Sequence, residues 1–217
     1  MAKIQTDQKQ ANSLRKWNIG MGFLHLSQGG AMLLLSSSFS IPVIGNFLNF
    51  DIKSQSLKPV AETIFNLRIG PAVAAFLIMS AIAHFLVSTV LNKWYLKNLS
   101  QHINIARWVE YAFSSTLMLV IIAMLVGIYD LAALIALVGL NASMILFGWM
   151  MELHNQSTNK TDWTSFIFGC IAGIIPWIAI AIYLFAAGEG EYRAPDFVYW
   201  IYFSIFVSFS STNCSLN

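Results

Sequence analysis

Long stretches without Asp, Glu, Lys or Arg are the feature that most constrains the fold of this sequence. Two of them run from Lys16 to Asp51 and from Arg68 to Lys93. A helix that crosses the hydrocarbon of a bilayer needs about 20 apolar residues, and its backbone polar groups must be satisfied within the helix. Only 10% of the 217 residues are charged, whereas soluble domains have about 25%. The sequence therefore predicts an all-α, polytopic transmembrane helix bundle.

The uncharged stretches divide the chain into an N-terminal segment, residues 1–16, and a transmembrane domain, residues 17–217. The helices predicted in this domain are six in number and cover residues 17–39, 69–92, 107–129, 131–151, 163–187 and 197–215. The first should end before Pro42, because proline disfavours helical geometry in the residue that precedes it. The connection over residues 40–67 has alternating stretches and could form a short hairpin.

Lysine and arginine are unevenly distributed between the two ends of these helices. Eight lie on the same side of the membrane as the N-terminus, namely Lys3, Lys9, Arg15, Lys16, Lys93, Lys97, Arg107 and Lys160. Four lie on the other side, namely Lys53, Lys58, Arg68 and Arg193. Because cytoplasmic flanks carry the excess of positive charge, we expect a cell-membrane protein with a cytoplasmic N-terminus.

Several classes of function have no support in the sequence. The net charge of +2 provides no basic surface for nucleic acid. Cys170 and Cys214 lie in apolar stretches without the spacing of a zinc site. No Gly-rich phosphate loop, nucleophile elbow or zincin helix is present. We therefore expect neither enzymatic activity, nor a metal site, nor a nucleic-acid partner.

Three ionisable side chains within the predicted helices are functional candidates, because such groups are costly at bilayer depth. His25 and His84 each lie nine residues from the nearest lysine, which places both imidazoles about 13 Å from the cytoplasmic helix ends. Together with Glu110 they could form a proton-relay or counterion cluster. Alternatively, each histidine makes one interhelical hydrogen bond, and Glu110 pairs with Arg107, three residues earlier on the same face.

Aromatic residues make up 14% of the chain and are frequent in the last three predicted helices. They could line a pocket for a flat, apolar ligand. Core packing and interfacial aromatic belts are the alternative explanation.

Five stretches of the sequence resemble the heliorhodopsins, retinal-binding microbial rhodopsins whose membrane orientation is inverted relative to that of other microbial rhodopsins. They are WNIGMGFLHLSQGGAMLLLS, SAIAHFLVS, RWVEYAFSSTLMLVIIAMLVGIYD, GLNASMILFGWMME and FVYWIYFSIFV. The resemblance implies a seven-helix, rhodopsin-like fold and a photoreceptor that binds all-trans-retinal and is not expected to pump ions. It agrees with the orientation predicted from the charges.

The resemblance also implies roles for individual residues. Glu110 would be the counterion of a protonated retinal Schiff base, with His25 and His84 in the polar cluster around it. Further residues implied to line or adjoin the retinal pocket are Ser114, Ser115, Asn141, Met144 and Trp177. Retinal and membrane lipid are the implied partners, a homodimer is a further candidate assembly, and the downstream partner is left open.

The chain departs from the family at the Schiff-base lysine, which family members carry in their seventh helix. Its own lysines are Lys3, Lys9, Lys16, Lys53, Lys58, Lys93, Lys97 and Lys160. All of these lie at termini, loops or helix ends of the predicted topology, so we expect none of them to hold retinal. The final segment, SFSSTNCSLN, also differs from the family pattern. A truncation, an altered reading frame or an incomplete gene would explain this difference. The alternative function is a non-photoactive membrane scaffold or a passive pathway for protons or solutes.

Overall fold

The computed structural model describes residues 8–158, 160–186, 196 and 199–205. In chain order its elements are α1 (Gln8–Leu35), β1 (Ser40–Asp51), β2 (Ser56–Arg68), α2 (Ile69–Ser88), α3 (Asn92–Leu99), α4 (Ile105–Leu125), α5 (Leu131–His154) and α6 (Thr164–Ala186). Residues 199–205 are also helical. Of the described helices, α2, α4, α5 and α6 are long and apolar enough to cross a membrane. The fold is therefore mostly helical, as predicted.

The first two predicted helices differ from the observed ones at their ends. α1 begins at Gln8 rather than at residue 17, because the polar residues before the apolar run are good helix formers. The helix predicted over 69–92 is divided into α2 and α3. The division follows Ser88, where the Thr89 hydroxyl donates to the carbonyl oxygen of Phe85 at 2.6 Å. Hydropathy thus located the apolar core of each helix and not its ends.

The later helices lie close to their predicted ranges. α4, α5 and α6 begin within two residues of the predicted positions. The helix predicted over 197–215 is helical at residues 199–205, and its remaining part lies outside the described residues.

A β-hairpin connects α1 and α2, so the described chain is not all-α. β1 and β2 pair antiparallel from Ser40 opposite Arg68 to Asp51 opposite Ser56, and their 12 and 13 residues make the hairpin longer than expected. Its base is fixed to the start of α5, where the Ile44 amide donates to the carbonyl oxygen of Tyr129 at 2.8 Å. The base of the hairpin is therefore joined to the helix bundle.

The helices pack as neighbouring pairs in the order α1, α2, α4, α5 and α6. Their buried core includes Leu119, Met124, Ile180 and Leu184. α5 and α6 approach closely at Gly169, where an added Cβ would lie 3.2 Å from the carbonyl oxygen of Met144. This arrangement leaves a space between the helices, which is the candidate site.

Candidate functional site

A cavity of about 600 Å³ lies among α1, α2, α4, α5, α6 and the helical residues 199–205. The residues singled out from the sequence all line it, namely His25, His84, Glu110, Ser114, Ser115, Asn141, Met144 and Trp177. They come from five helices, so the helix packing order brings together residues that are distant in the sequence. The cavity is the candidate functional site.

Two stacked histidines form one part of the cavity wall. The imidazole rings of His25 on α1 and His84 on α2 are 5.6 Å apart between centroids, with 15° between their planes. Nδ1 of His84 lies 2.8 Å from Oδ1 of Asn18, and Nδ1 of His25 lies 3.2 Å from Oε1 of Gln28. The two rings thus lie at matching depth on antiparallel helices, as their spacing from the flanking lysines implied.

Glu110 is held by a serine that the sequence analysis did not single out. The Ser80 hydroxyl on α2 donates to Oε1 of Glu110 on α4 at 2.5 Å. Ser80 is four residues before His84, so both side chains lie on the same face of α2. The structure therefore places Glu110 beside the face of α2 that carries His84. The four-residue spacing was the signal that could have identified Ser80.

The alternative ion pair between Glu110 and Arg107 is wrong. Arg107 instead donates to Glu152 at the end of α5, with 2.7 Å between Nη2 and Oε1. The other carboxylate oxygen of Glu152 accepts the backbone N–H of Asn104 at 2.8 Å. The three-residue spacing on α4 permitted a pair between Glu110 and Arg107. Because α5 packs antiparallel to α4, however, the Glu152 carboxylate lies beside Arg107.

Asn141 on α5 lines the cavity, and its amide nitrogen donates to two hydroxyl groups of α4. Its Nδ2 donates to the hydroxyls of Thr116 at 2.9 Å and Ser115 at 3.1 Å, and Ser115 donates to the carbonyl oxygen of Tyr111 at 2.6 Å. Thr116 was missed from the sequence because its role depends on the contact between α4 and α5. This network holds α4 and α5 together beside the cavity.

The walls beyond these polar groups are mainly apolar and aromatic. Trp177 is only 3% exposed and packs edge-to-face against Tyr202, with 5.6 Å between ring centroids. Phe76, Phe166 and Met144, from three different helices, also line the cavity. The Arg107 guanidinium also lines the cavity but is paired with Glu152. With one carboxylate, two imidazoles and aromatic walls, the described lining suits an elongated apolar molecule with one polar or cationic end.

Lysine is absent from the described lining of the cavity. The described lysines lie in α1, α3, the hairpin and the connection before α6, and the sequence contains no lysine after Lys160. None of the described lysines therefore brings an amine to the cavity wall.

A family model described as Heliorhodopsin matches residues 14–216, nearly the whole chain. No curated protein matches the chain. The matched range includes every residue that lines the cavity.

Proposed function

This chain belongs to the heliorhodopsin family, and we propose that it forms the retinal-binding scaffold of a rhodopsin-like light sensor, without enzymatic activity of its own. The observation that supports this proposal is the cavity itself, which combines a single carboxylate, Glu110, with mainly apolar and aromatic walls. Its ligand would be all-trans-retinal. Its expected output is a change of conformation and not ion transport.

The cavity fits retinal in size and in polarity. Its volume of about 600 Å³ is within the range of about 300–1,000 Å³ that is usual for sites of small ligands. Met144 and Trp177 would pack against the polyene, and Ser114 and Asn141 would adjoin it. When it is joined to an amine as a protonated imine, retinal supplies a cation whose visible absorption responds to nearby charge.

Glu110 would provide the negative charge that such a cation requires. An unpaired charge is costly in a region of low dielectric constant, and a carboxylate a few ångströms away offsets that cost. Ser80 would fix the orientation of this carboxylate through its hydrogen bond. His25 and His84 would complete the polar end of the cavity.

The described residues do not provide an amine that could form an imine with retinal in the cavity. The lysines of α1, α3, the hairpin and the connection before α6 would have to carry their ammonium groups into the hydrocarbon region to reach the cavity. We therefore expect retinal to bind without a covalent bond to any of the eight lysines of the chain. Covalent attachment should require a separate helix that carries a lysine.

Purification after expression with all-trans-retinal tests this proposal. Retinal should be recovered by solvent extraction, and borohydride reduction followed by mass spectrometry should find no retinyl adduct on lysine. Met144→Trp, which fills the cavity, should abolish the recovery of retinal. Met150→Trp is the matched control, since Met150 lies on the same helix and is 52% exposed. A retinyl adduct on any lysine, or equal recovery from both variants, would contradict the proposal.

A further inference from the structure

The two ring nitrogens of His84 have different surroundings. Nδ1 lies 2.8 Å from Oδ1 of Asn18 on α1. Among the described residues, Nε2 has no hydrogen-bond partner, and it is not one of the fully buried polar atoms that lack one. A neutral imidazole carries one hydrogen, and the nitrogen that holds it determines whether Nε2 donates or accepts.

The backbone of α1 fixes the orientation of the Asn18 amide. Nδ2 of Asn18 lies 2.9 Å from the carbonyl oxygen of Leu14 and donates to it. A carbonyl oxygen can only accept, so the amide nitrogen must face Leu14 and the amide oxygen must face His84. Because this oxygen carries no hydrogen, the hydrogen of the contact belongs to Nδ1 of His84. In the neutral ring, Nε2 is then left without a hydrogen and can only accept.

Nε2 lies on the edge of the His84 ring that is left to the cavity. His84 lines the cavity, whereas Asn18 is not part of its described lining. The ring edge with Nδ1 therefore points away from the cavity, toward Asn18. Ser80, one turn before His84, also lines the cavity and donates its hydroxyl hydrogen to Glu110. This part of the wall thus carries two acceptors, the carboxylate of Glu110 and Nε2 of His84.

We propose that Asn18 is a positioning residue that holds His84 in the Nδ1–H tautomer, so that Nε2 accepts a hydrogen bond from the polar end of the ligand. The ligand part rests on the proposed function and specifies the ligand further. An N–H donor, such as a protonated imine or an amine, fits two acceptors, whereas an aldehyde oxygen can only accept. Hydroxyl groups in the lining donate or accept and do not discriminate. The cavity therefore prefers a polyene that ends in an N–H group.

Nuclear magnetic resonance of the purified full chain, labelled with ¹⁵N-histidine and free of retinoid, tests the tautomer. The ring nitrogen shifts and their couplings to the ring C–H protons show which nitrogen is protonated. At about pH 8, where ordinary histidine is neutral, we expect the hydrogen of His84 on Nδ1. His84→Gln identifies the signal among the four histidines of the chain. A hydrogen on Nε2, with or without a second one on Nδ1, would overturn the proposal.

Three variants test the role of Asn18. Asn18→Leu removes the acceptor at similar size and should move the hydrogen of His84 to Nε2, whereas Asn18→Asp keeps an acceptor and should leave it on Nδ1. Asn98→Leu is the matched control. Asn98 also donates to the carbonyl oxygen four residues earlier, that of Trp94 at 2.9 Å, but among the described residues its side chain bonds no histidine. A hydrogen that stays on Nδ1 in Asn18→Leu would contradict the positioning role.

Quenching of tryptophan fluorescence by two polyenes tests the ligand preference. All-trans-retinylamine ends in an amine that carries N–H donors, and all-trans-retinal ends in an acceptor. We expect the wild type to bind the amine more tightly, and Asn18→Leu to weaken amine binding about tenfold, as the loss of one hydrogen bond produces, without weakening the binding of retinal. Equal affinity of the amine for both proteins would contradict the role of Nε2. If neither polyene binds while His84 has the expected tautomer, the proposed retinal site is wrong and the positioning by Asn18 is confirmed.

Discussion

Single side chains determine the chemistry of the cavity, and Ser80 holds the Glu110 carboxylate through a hydrogen bond. Ser80→Ala removes a hydrogen bond to the carboxylate, which is expected to lower the free energy of unfolding by about 1–3 kcal/mol. Unfolding by denaturant in detergent micelles measures the change. Ser143→Ala, at an exposed position on α5, should shift stability by no more than about 0.5 kcal/mol. Equal effects of the two variants would show that the hydrogen bond does not stabilise the protein.

Two glycines of α5 form a second matched pair. Gly148→Ala places a Cβ 2.6 Å from the Trp108 ring, and the resulting overpacking should cost about 1–3 kcal/mol. Gly139 has nothing within 4 Å of the corresponding position, so Gly139→Ala should stabilise the helix by about 0.5–1 kcal/mol. Thermal unfolding of both variants should therefore give shifts of opposite sign, and a stabilised Gly148→Ala variant would contradict the described packing.

The sequence was informative about which residues line the cavity and less so about their partners. His25 and His84 could be placed at one depth, because the helical rise converts their spacing from charged residues into distance. The partner of Arg107 could not be predicted, because Glu152 is 45 residues away along the chain and reaches Arg107 only through helix packing. Partners that depend on the contact between two helices are not encoded in the spacing along one helix.

At the scale of elements, Asp130 links the start of α5 to the hairpin. Its carboxylate accepts the backbone N–H of Ala133 at 2.9 Å and Nδ2 of Asn46 at 2.8 Å. These two hydrogen bonds, the backbone one first, hold the pKa of Asp130 below its usual value of 3.8. A carboxyl group with a depressed folded-state pKa stabilises the fold above the unfolded-state pKa, and this contribution is lost as pH falls through the folded-state pKa.

Asp130→Asn should therefore change the pH dependence of stability. Asparagine still caps the helix but carries no charge, so the variant should have a lower Tm than the wild type at pH 7. The difference between the two should begin to shrink as pH approaches the unfolded-state pKa of about 3.9, and it should disappear as pH falls through the lower folded-state pKa of Asp130. Thermal unfolding between pH 7 and the acid limit of folding measures this, and a difference that is independent of pH would contradict the assigned role of the carboxylate.

The sequence predicted the positions of the helices better than the start of α1 and the length of the hairpin. The apolar runs located the helices, because hydropathy reports which residues lie in lipid. They did not show that α1 extends to Gln8, since a helix can continue into water on the strength of its propensity. The hairpin was expected only as a short one, because the pairing of Ser40 with Arg68 depends on the positions of α1 and α2.

At the scale of the whole molecule, the charge distribution predicts the orientation in the membrane. Cysteines introduced by Ser13→Cys and Ser56→Cys occupy exposed positions at the N-terminal end of α1 and at the start of β2. An impermeant thiol reagent added to sealed cells should label position 56 and not position 13, which should react only after permeabilisation. Labelling of both positions from outside would show that the N-terminus is not cytoplasmic.

The most direct test of the retinal site uses an imine made in advance from all-trans-retinal and n-butylamine, which supplies the amine that the described lining lacks. Added to the purified protein, it should give a visible band that is shifted to the red of the same imine in detergent. Glu110→Gln should abolish this band, because the cation loses its counterion, while Glu62→Gln in the exposed part of β2 should leave it unchanged. An absorption spectrum that equals that of the free imine, or a band that persists in Glu110→Gln, would contradict the account.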